Sequence, residues 1–355
     1  MVFVADSVVA QYKRLWWKRT IFILFLFSCL ALAFTASICV GSIYISPLQA
    51  ITVLLKREGD FDAIVWEIRL PRALAAVFAG AGLALGGVVM QASLRNPMAS
   101  PFTLGMSSAA GFGAALAIVL GAGRLLKTYL GGFAVSSYFP LIVSSFLFSL
   151  IAVFVIFFLA KVKGASPEAI VLTGIAISFL FSAATSLVQY FGTTEQVAAI
   201  VFWLFGSLSK ASWEAFWAIS LASLAVLAVF LKWSYRYDAL LMDEDFARNL
   251  GVNPENLRLA SMILSSVATA VITSFLGVIS FVCLVAPHIA RMVIGSEHKC
   301  LILASALVGA NILTLSDIAS RILMPPLVIP VGVITSFIGT PLLLYLLLRG
   351  RRHWY

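Results

Sequence analysis

The chain has 355 residues, of which 62% are apolar and 11% charged, and its formal net charge is +9. Soluble domains average about 45–50% apolar and about 25% charged residues, so the 24 basic and 15 acidic side chains cannot coat a soluble globule of this length. A cytoplasmic enzyme and a secreted module are both excluded, and an integral membrane protein remains.

Each helical span takes about 20 apolar residues, and spans must be helical because lipid-exposed backbone has to satisfy its own hydrogen bonds. A basic stretch, Lys13-Arg14-Leu15-Trp16-Trp17-Lys18-Arg19, precedes an apolar run over 21–45. That run is longer than the roughly 7–15 residues of a signal-peptide core and predicts a retained first span. Further apolar segments fall at 64–92, 98–121, 138–160, 168–191, 213–232, 257–276, 278–295, 300–317 and 331–348. The sequence thus predicts an all-α polytopic membrane protein of about ten helices. Between the fifth and sixth segments, 197–206 is apolar but too short to span, which suits an interfacial or re-entrant helix.

Lys and Arg gather on the cytoplasmic side of membrane proteins. With the N-terminus inside, 16 of the 24 basic residues fall on the inner side. Lys56, Arg57, Arg69, Arg72, Arg124, Lys127, Lys210 and Arg321 are left outside. Both termini are therefore expected in the cytoplasm: 1–20 as an N-terminal segment, 21–349 as the transmembrane domain and 350–355 as a tail. Cys29, Cys39, Cys283 and Cys300 lack metal-ligand spacing and read as reduced packing residues. The three histidines, His288, His298 and His353, do not suggest a metal centre.

Four stretches carry more than hydropathy. The first runs from Arg69-Leu70-Pro71-Arg72 through Gly80-Ala81-Gly82 and Gly86-Gly87 to Gln91 and Arg95-Asn96-Pro97-Met98-Ala99-Ser100-Pro101. Its small residues allow close helix approach. Pro97 and Pro101 interrupt the helix at the inner edge, as a tight turn or as a constriction at the mouth of a pathway. The second is the inner loop at 233–256, where Leu240, Leu241, Ala247 and Leu250 recur near helical spacing and Gly251 suits a helix C-cap. Its acidic residues at 243–245 argue against anionic lipid and favour a protein partner. The third, Gly277 to Arg291, closes with Pro287, His288 and Arg291. The fourth holds Asp317 and Arg321 at i, i+4 spacing, then Pro325-Pro326-Leu327-Val328-Ile329-Pro330 and Gly339-Thr340-Pro341.

In order and spacing these stretches resemble the FecCD-type permeases of ABC importers, the family that includes vitamin B12, haem and ferric-siderophore permeases. The resemblance spans 45–349. It implies the type II importer permease architecture: ten helices per subunit, a second permease subunit (identical or a close paralogue), two separate ATPase subunits and a periplasmic or surface-anchored binding protein. By resemblance, 238–252 corresponds to the coupling helices that enter a cleft of the ATPase. Glu244, Ala247, Leu250 and Gly251 match that motif, and Asp243 stands where the family usually has glycine. Asn96, Met98 and Ser166 match cytoplasmic gate positions. Arg69 and Arg321 match outer arginines that meet acidic residues of the binding protein, while Leu327-Val328-Ile329-Pro330 replaces the usual glutamate-leucine-proline.

The chain lacks the G-x-x-x-x-G-K-[ST] loop that cradles ATP phosphates. No enzyme chemistry and no resident cofactor or metal are expected, and ATP and Mg belong to the ATPase partner. The implied cargo is a bulky metal chelate carried across the cytoplasmic (inner) membrane, ferric siderophore first, with haem or cobalamin as alternatives. A secondary transporter driven by protons or sodium is the competing class, and it requires ionisable groups near mid-membrane. Glu168 and Asp317 fall at span ends instead.

Overall fold

The computed structural model describes residues 2–41, 43–57, 61–122, 138–162 and 166–349, with side chains from Lys13 onward except at 346, 347 and 349. The basic residues Arg124, Lys127, Lys163, Arg351 and Arg352, and the 350–355 tail, lie outside the described residues. Among the described residues the regular structure is helical: α1 (Val2–Cys39), α2 (Pro47–Lys56), α3 (Leu70–Ser93), α4 (Met106–Val119), α5 (Phe139–Val162), α6 (Pro167–Phe191) and α7 (Thr194–Leu204). They are followed by α8 (Trp213–Lys232), α9 (Ser234–Met242), α10 (Glu244–Asn249), α11 (Pro254–Leu276), α12 (Val282–Ile294), α13 (His298–Ile322) and α14 (Val331–Arg349). A π-helical turn, Ile64–Arg69, runs directly into α3.

All ten apolar segments contain a helix, but not all are continuous spans. Among the described residues, seven helices are long and apolar enough to cross a membrane: α1, α3 with its π-turn, α5, α6, α8, α11 and α13. Those built on 98–121, 278–295 and 331–348 are shorter. Two have visible causes. After Ser93 the backbone is irregular until Met106, across Pro97 and Pro101. Then Gly277 (φ 76°) ends α11 and Phe281 (φ 68°) delays α12. The 13 residues of α12 rise only about 20 Å, less than the roughly 30 Å hydrocarbon core. The apolar stretch at 197–206 forms α7, 11 residues long, opened by a capping box between Thr193 and Gln196.

Helix α3 sits at the centre. Twenty of its 24 residues are buried, against four of the 25 in α6. Lipid tails offer no hydrophobic drive for helix association, so close packing and interhelical hydrogen bonds must supply it. The glycines of α3 make that approach geometrically possible. Gly80 lies against Gly309 of α13 so closely that a Cβ on either would overlap the other's carbonyl oxygen, and a Cβ on Gly87 would overlap the Cys283 carbonyl of α12. On another face, the Ser223 hydroxyl of α8 donates to the Phe78 carbonyl at 2.9 Å.

Guanidinium groups secure the outer end. The last carbonyls of α1 have no partner within the helix, and two arginines meet them. Arg69 donates to the carbonyls of Ile38 (2.6 Å) and Cys39 (2.9 Å) and also to Ile43. Arg321 donates to the carbonyls of Ser37 (2.9 Å) and Val40 (2.8 Å) and to the Ser37 hydroxyl (2.7 Å). Asp317, wholly buried, accepts from Arg72 Nε at 2.8 Å and pairs with Arg321 Nη2 at 2.9 Å. The i, i+4 pair seen in the sequence is therefore part of a buried network joining α1, α3 and α13.

Two stability outcomes follow. Gly309→Val drives a side chain into the Gly80 carbonyl, and size-exclusion chromatography in detergent should show loss of the monodisperse peak. Asp317→Asn leaves Arg72 and Arg321 without their buried counter-charge, a change that costs about 3–5 kcal/mol. A clear fall in the detergent melting temperature is expected, and an unchanged melt would refute the network's role.

Candidate functional site

At the inner end, α9 and α10 form a two-helix elbow bent at Asp243. Asp243 is extended (φ −169°, ψ 158°), a backbone state open to any residue, so the aspartate sits at this bend without a positive φ. The C-terminus of α10 is closed by a Schellman arrangement. Gly251 N–H donates to Arg248 and Val252 N–H donates to Ala247, both at 2.9 Å, while Gly251 takes φ 76°.

The elbow is held from below by buried groups. Tyr237 of α9 is fully buried, and its hydroxyl meets the Ser261 hydroxyl of α11 at 2.9 Å. Burial pushes its phenol above the usual range, with Ser261 and the charge of Arg236 pulling the other way. One Asp238 carboxylate oxygen accepts from the backbone N–H of His298 (2.9 Å) and from its Nδ1 (2.7 Å). Asp238 thereby caps α13, whose own N-cap residue, Glu297, makes no side-chain cap bond, and places negative charge at a helix N-terminus. Arg95 donates to the Leu241 carbonyl at 3.3 Å.

The coupling residues named from the sequence separate into two sets. Glu244 turns inward and accepts from Arg258 at 2.6 Å, and Ala247 is fully buried. Asp243, Leu250 and Gly251 are exposed. The outward face of the elbow also carries Met242 (74% exposed) and Phe246 (48%), beside Leu250 (60%). Phe246 was not singled out by the sequence, although its spacing four residues before Leu250 was the available signal.

The residues expected at a gate lie on two elements. Asn96 and Met98 share one turn, in which Met98 N–H donates to Asn96 Oδ1 at 2.9 Å and Ala99 N–H to the Asn96 carbonyl at 3.0 Å. Ser166 is the N-cap of α6, accepting from Ala169 N–H. Farther along α6, Gly174 packs against the backbone of Thr103 and Leu104, so α6 and the gate segment are neighbours. Several groups moor the turn and the end of α3 that leads into it: His288 Nε2 lies 3.1 Å from the Pro97 carbonyl, Arg291 donates to Gln91 at 3.3 Å, and Arg258 donates to the Ser93 carbonyl at 3.1 Å.

Arg69 and Arg321, expected as outer docking charges, turn into the protein. Arg69 is 5% exposed and the Arg321 side chain 8%, and both are committed to the end of α1. The orphan carbonyls of α1 are the physical reason. Near them, Leu327 and Val328 are exposed and Ile329 N–H donates to the Ser320 carbonyl at 3.0 Å. Among the described residues no cluster of metal-ligating side chains occurs.

Comparisons with known proteins agree with this architecture. The model of the FecCD transport family matches residues 29–349. A protein described as an ABC transporter permease in Methanocaldococcus jannaschii is 42% identical over 97% of this chain and 98% of its own. The Fe(3+)-citrate import permease of Bacillus subtilis is 35% identical over 88% of this chain and 90% of its own. The molybdate import permease of Haemophilus influenzae is 36% identical over 85% and 87%. A solved structure described as a metal-chelate type ABC transporter in an inward-facing conformation superposes with a TM-score of 0.78 at 32% identity, covering 93% of this chain and 99% of its own. A ten-segment helical membrane chain with a helix-broken inner turn and a capped elbow matches that family along nearly its whole length, and the chain belongs to the FecCD transport family.

Proposed function

We propose that this chain is the permease subunit of a binding-protein-dependent ABC importer in the cytoplasmic membrane. It pairs with a second permease subunit, a copy of itself or a close paralogue, and receives cargo from a binding protein on the outer side. The observation that carries the reading is the elbow: Phe246 stands exposed on α10 and Leu250 at its C-cap, while Glu244 and Ala247 anchor the other face of α10 and Tyr237 anchors α9. An ATPase subunit covers that apolar face and hydrolyses ATP with Mg, so movement enters the chain at α10. The turn with Asn96 and Met98, together with Ser166 at the start of α6, forms the inner gate.

The cargo is a metal chelate, with a ferric siderophore first and haem or cobalamin as alternatives. The Fe(3+)-citrate relative supports a ferric complex. The molybdate import relative differs in cargo from the Fe(3+)-citrate relative, so uptake is the direct measure of substrate. An ion-coupled mechanism finds no support: Asp317, buried at the outer end of α13, is neutralised by Arg72 and Arg321.

Covering two large apolar side chains contributes about 3–6 kcal/mol, or at least about 100-fold in affinity. Phe246→Asp with Leu250→Asp should therefore abolish co-purification of the ATPase subunits and uptake while leaving the melting temperature of the permease unchanged. Retained co-purification would sink the docking assignment. For the cargo, proteoliposomes holding the complete importer and its binding protein should accumulate radiolabelled ferric siderophore. Accumulation of cobalamin or haem in its place would reassign the substrate.

A further inference from the structure

Building on the reading of α10 as the ATPase contact, we propose that Arg258 is the positioning residue that carries movement of α10 to the gate turn. Arg258 lies near the start of α11 and is 4% exposed. Its Nη2 donates to Glu244 Oε1 at 2.6 Å, and its Nε donates to the Ser93 carbonyl at 3.1 Å. One guanidinium therefore holds the first residue of α10 and the last residue of α3 at the same time.

Each bond has a physical reason to persist. The Ser93 carbonyl is among the last four of α3 and has no intrahelical donor, and a cation at a helix C-terminus is favoured by the dipole. The Glu244 bond joins two charges, which shortens and strengthens it, and burial of Arg258 reduces competition from water. Asn96 lies three residues beyond Ser93, in the same continuous turn, where Asn96 N–H donates to the Gln91 carbonyl at 3.2 Å. Displacement of α10 consequently pulls on the end of α3 at the point where the gate turn begins. The neighbouring ties act on other parts: Arg95 joins the gate turn to α9 through Leu241, and Asp238 joins α9 to α13.

The function needs the planar fork of arginine, which reaches two acceptors in fixed directions. Lysine supplies the charge without that geometry. The test uses the reconstituted permease–ATPase complex with its binding protein, and reads cargo taken up per ATP hydrolysed alongside ATPase co-purification and melting temperature. In both Arg258→Lys and Arg258→Gln, the ATPase subunits should remain bound while uptake per ATP falls at least tenfold. Adding Glu244→Gln to Arg258→Gln should lower the ratio no further, because both changes cut one link. Should the glutamine variant fail to fold, the lysine variant carries the test. A ratio within twofold of the parent's in Arg258→Lys, with or without a lowered melting temperature, overturns the proposal and leaves Arg258 a purely structural role. The docking reading fails separately: if Phe246→Asp with Leu250→Asp keeps the ATPase bound, that reading falls whatever Arg258 does.

Discussion

Everything in this chain is arranged around the backbone-to-backbone approach of α3 to its neighbours. In lipid, burying a leucine against another helix gains little over leaving it among acyl chains, so helices associate through close packing and polar contacts. Gly80 against Gly309 and Gly87 against the Cys283 carbonyl bring α13 and α12 close enough for both. With α3 central, its two ends become the places where other parts meet: Arg72 and Asp317 at the outer end, Ser93 and the turn holding Asn96 and Met98 at the inner.

Charge is scarce, and several charged side chains serve helix ends. Arg69 and Arg321 close the carbonyls of α1, Arg258 closes α3, and Asp238 opens α13. These are the sites where backbone groups lack partners, and a charged side chain satisfies them more strongly than a neutral one. The polar residues of the membrane domain thereby reinforce the helical frame, while the exposed apolar residues Phe246 and Leu250 stand outside it at the proposed point of input.

Much of the fold was legible from hydropathy, because a span has to be helical and has to be long. The elbow was legible too: Gly251 announced the C-cap it forms. Less legible were features that depend on distance. Pro97 and Pro101 already marked the break at the start of the 98–121 segment, whereas apolar composition does not register the positive φ of Phe281 that delays α12. Arg258 looked like one more inner positive charge, and only packing shows that it is buried between Glu244 and Ser93. The same holds for Arg69 and Arg321: sequence position marks them as outer charges, whereas the carbonyls that consume them come from a helix far away in the chain.

That last arrangement bears on how the protein is made. The carbonyl of Ser37, near the end of α1, receives its hydrogen bond from a side chain 284 residues downstream. Until α13 has entered the bilayer, that carbonyl must rely on water or lipid headgroups, although Arg69 can already hold the neighbouring carbonyls of Ile38 and Cys39. The outer end of α1 is thus completed in two stages, the second waiting on a helix from the far part of the chain.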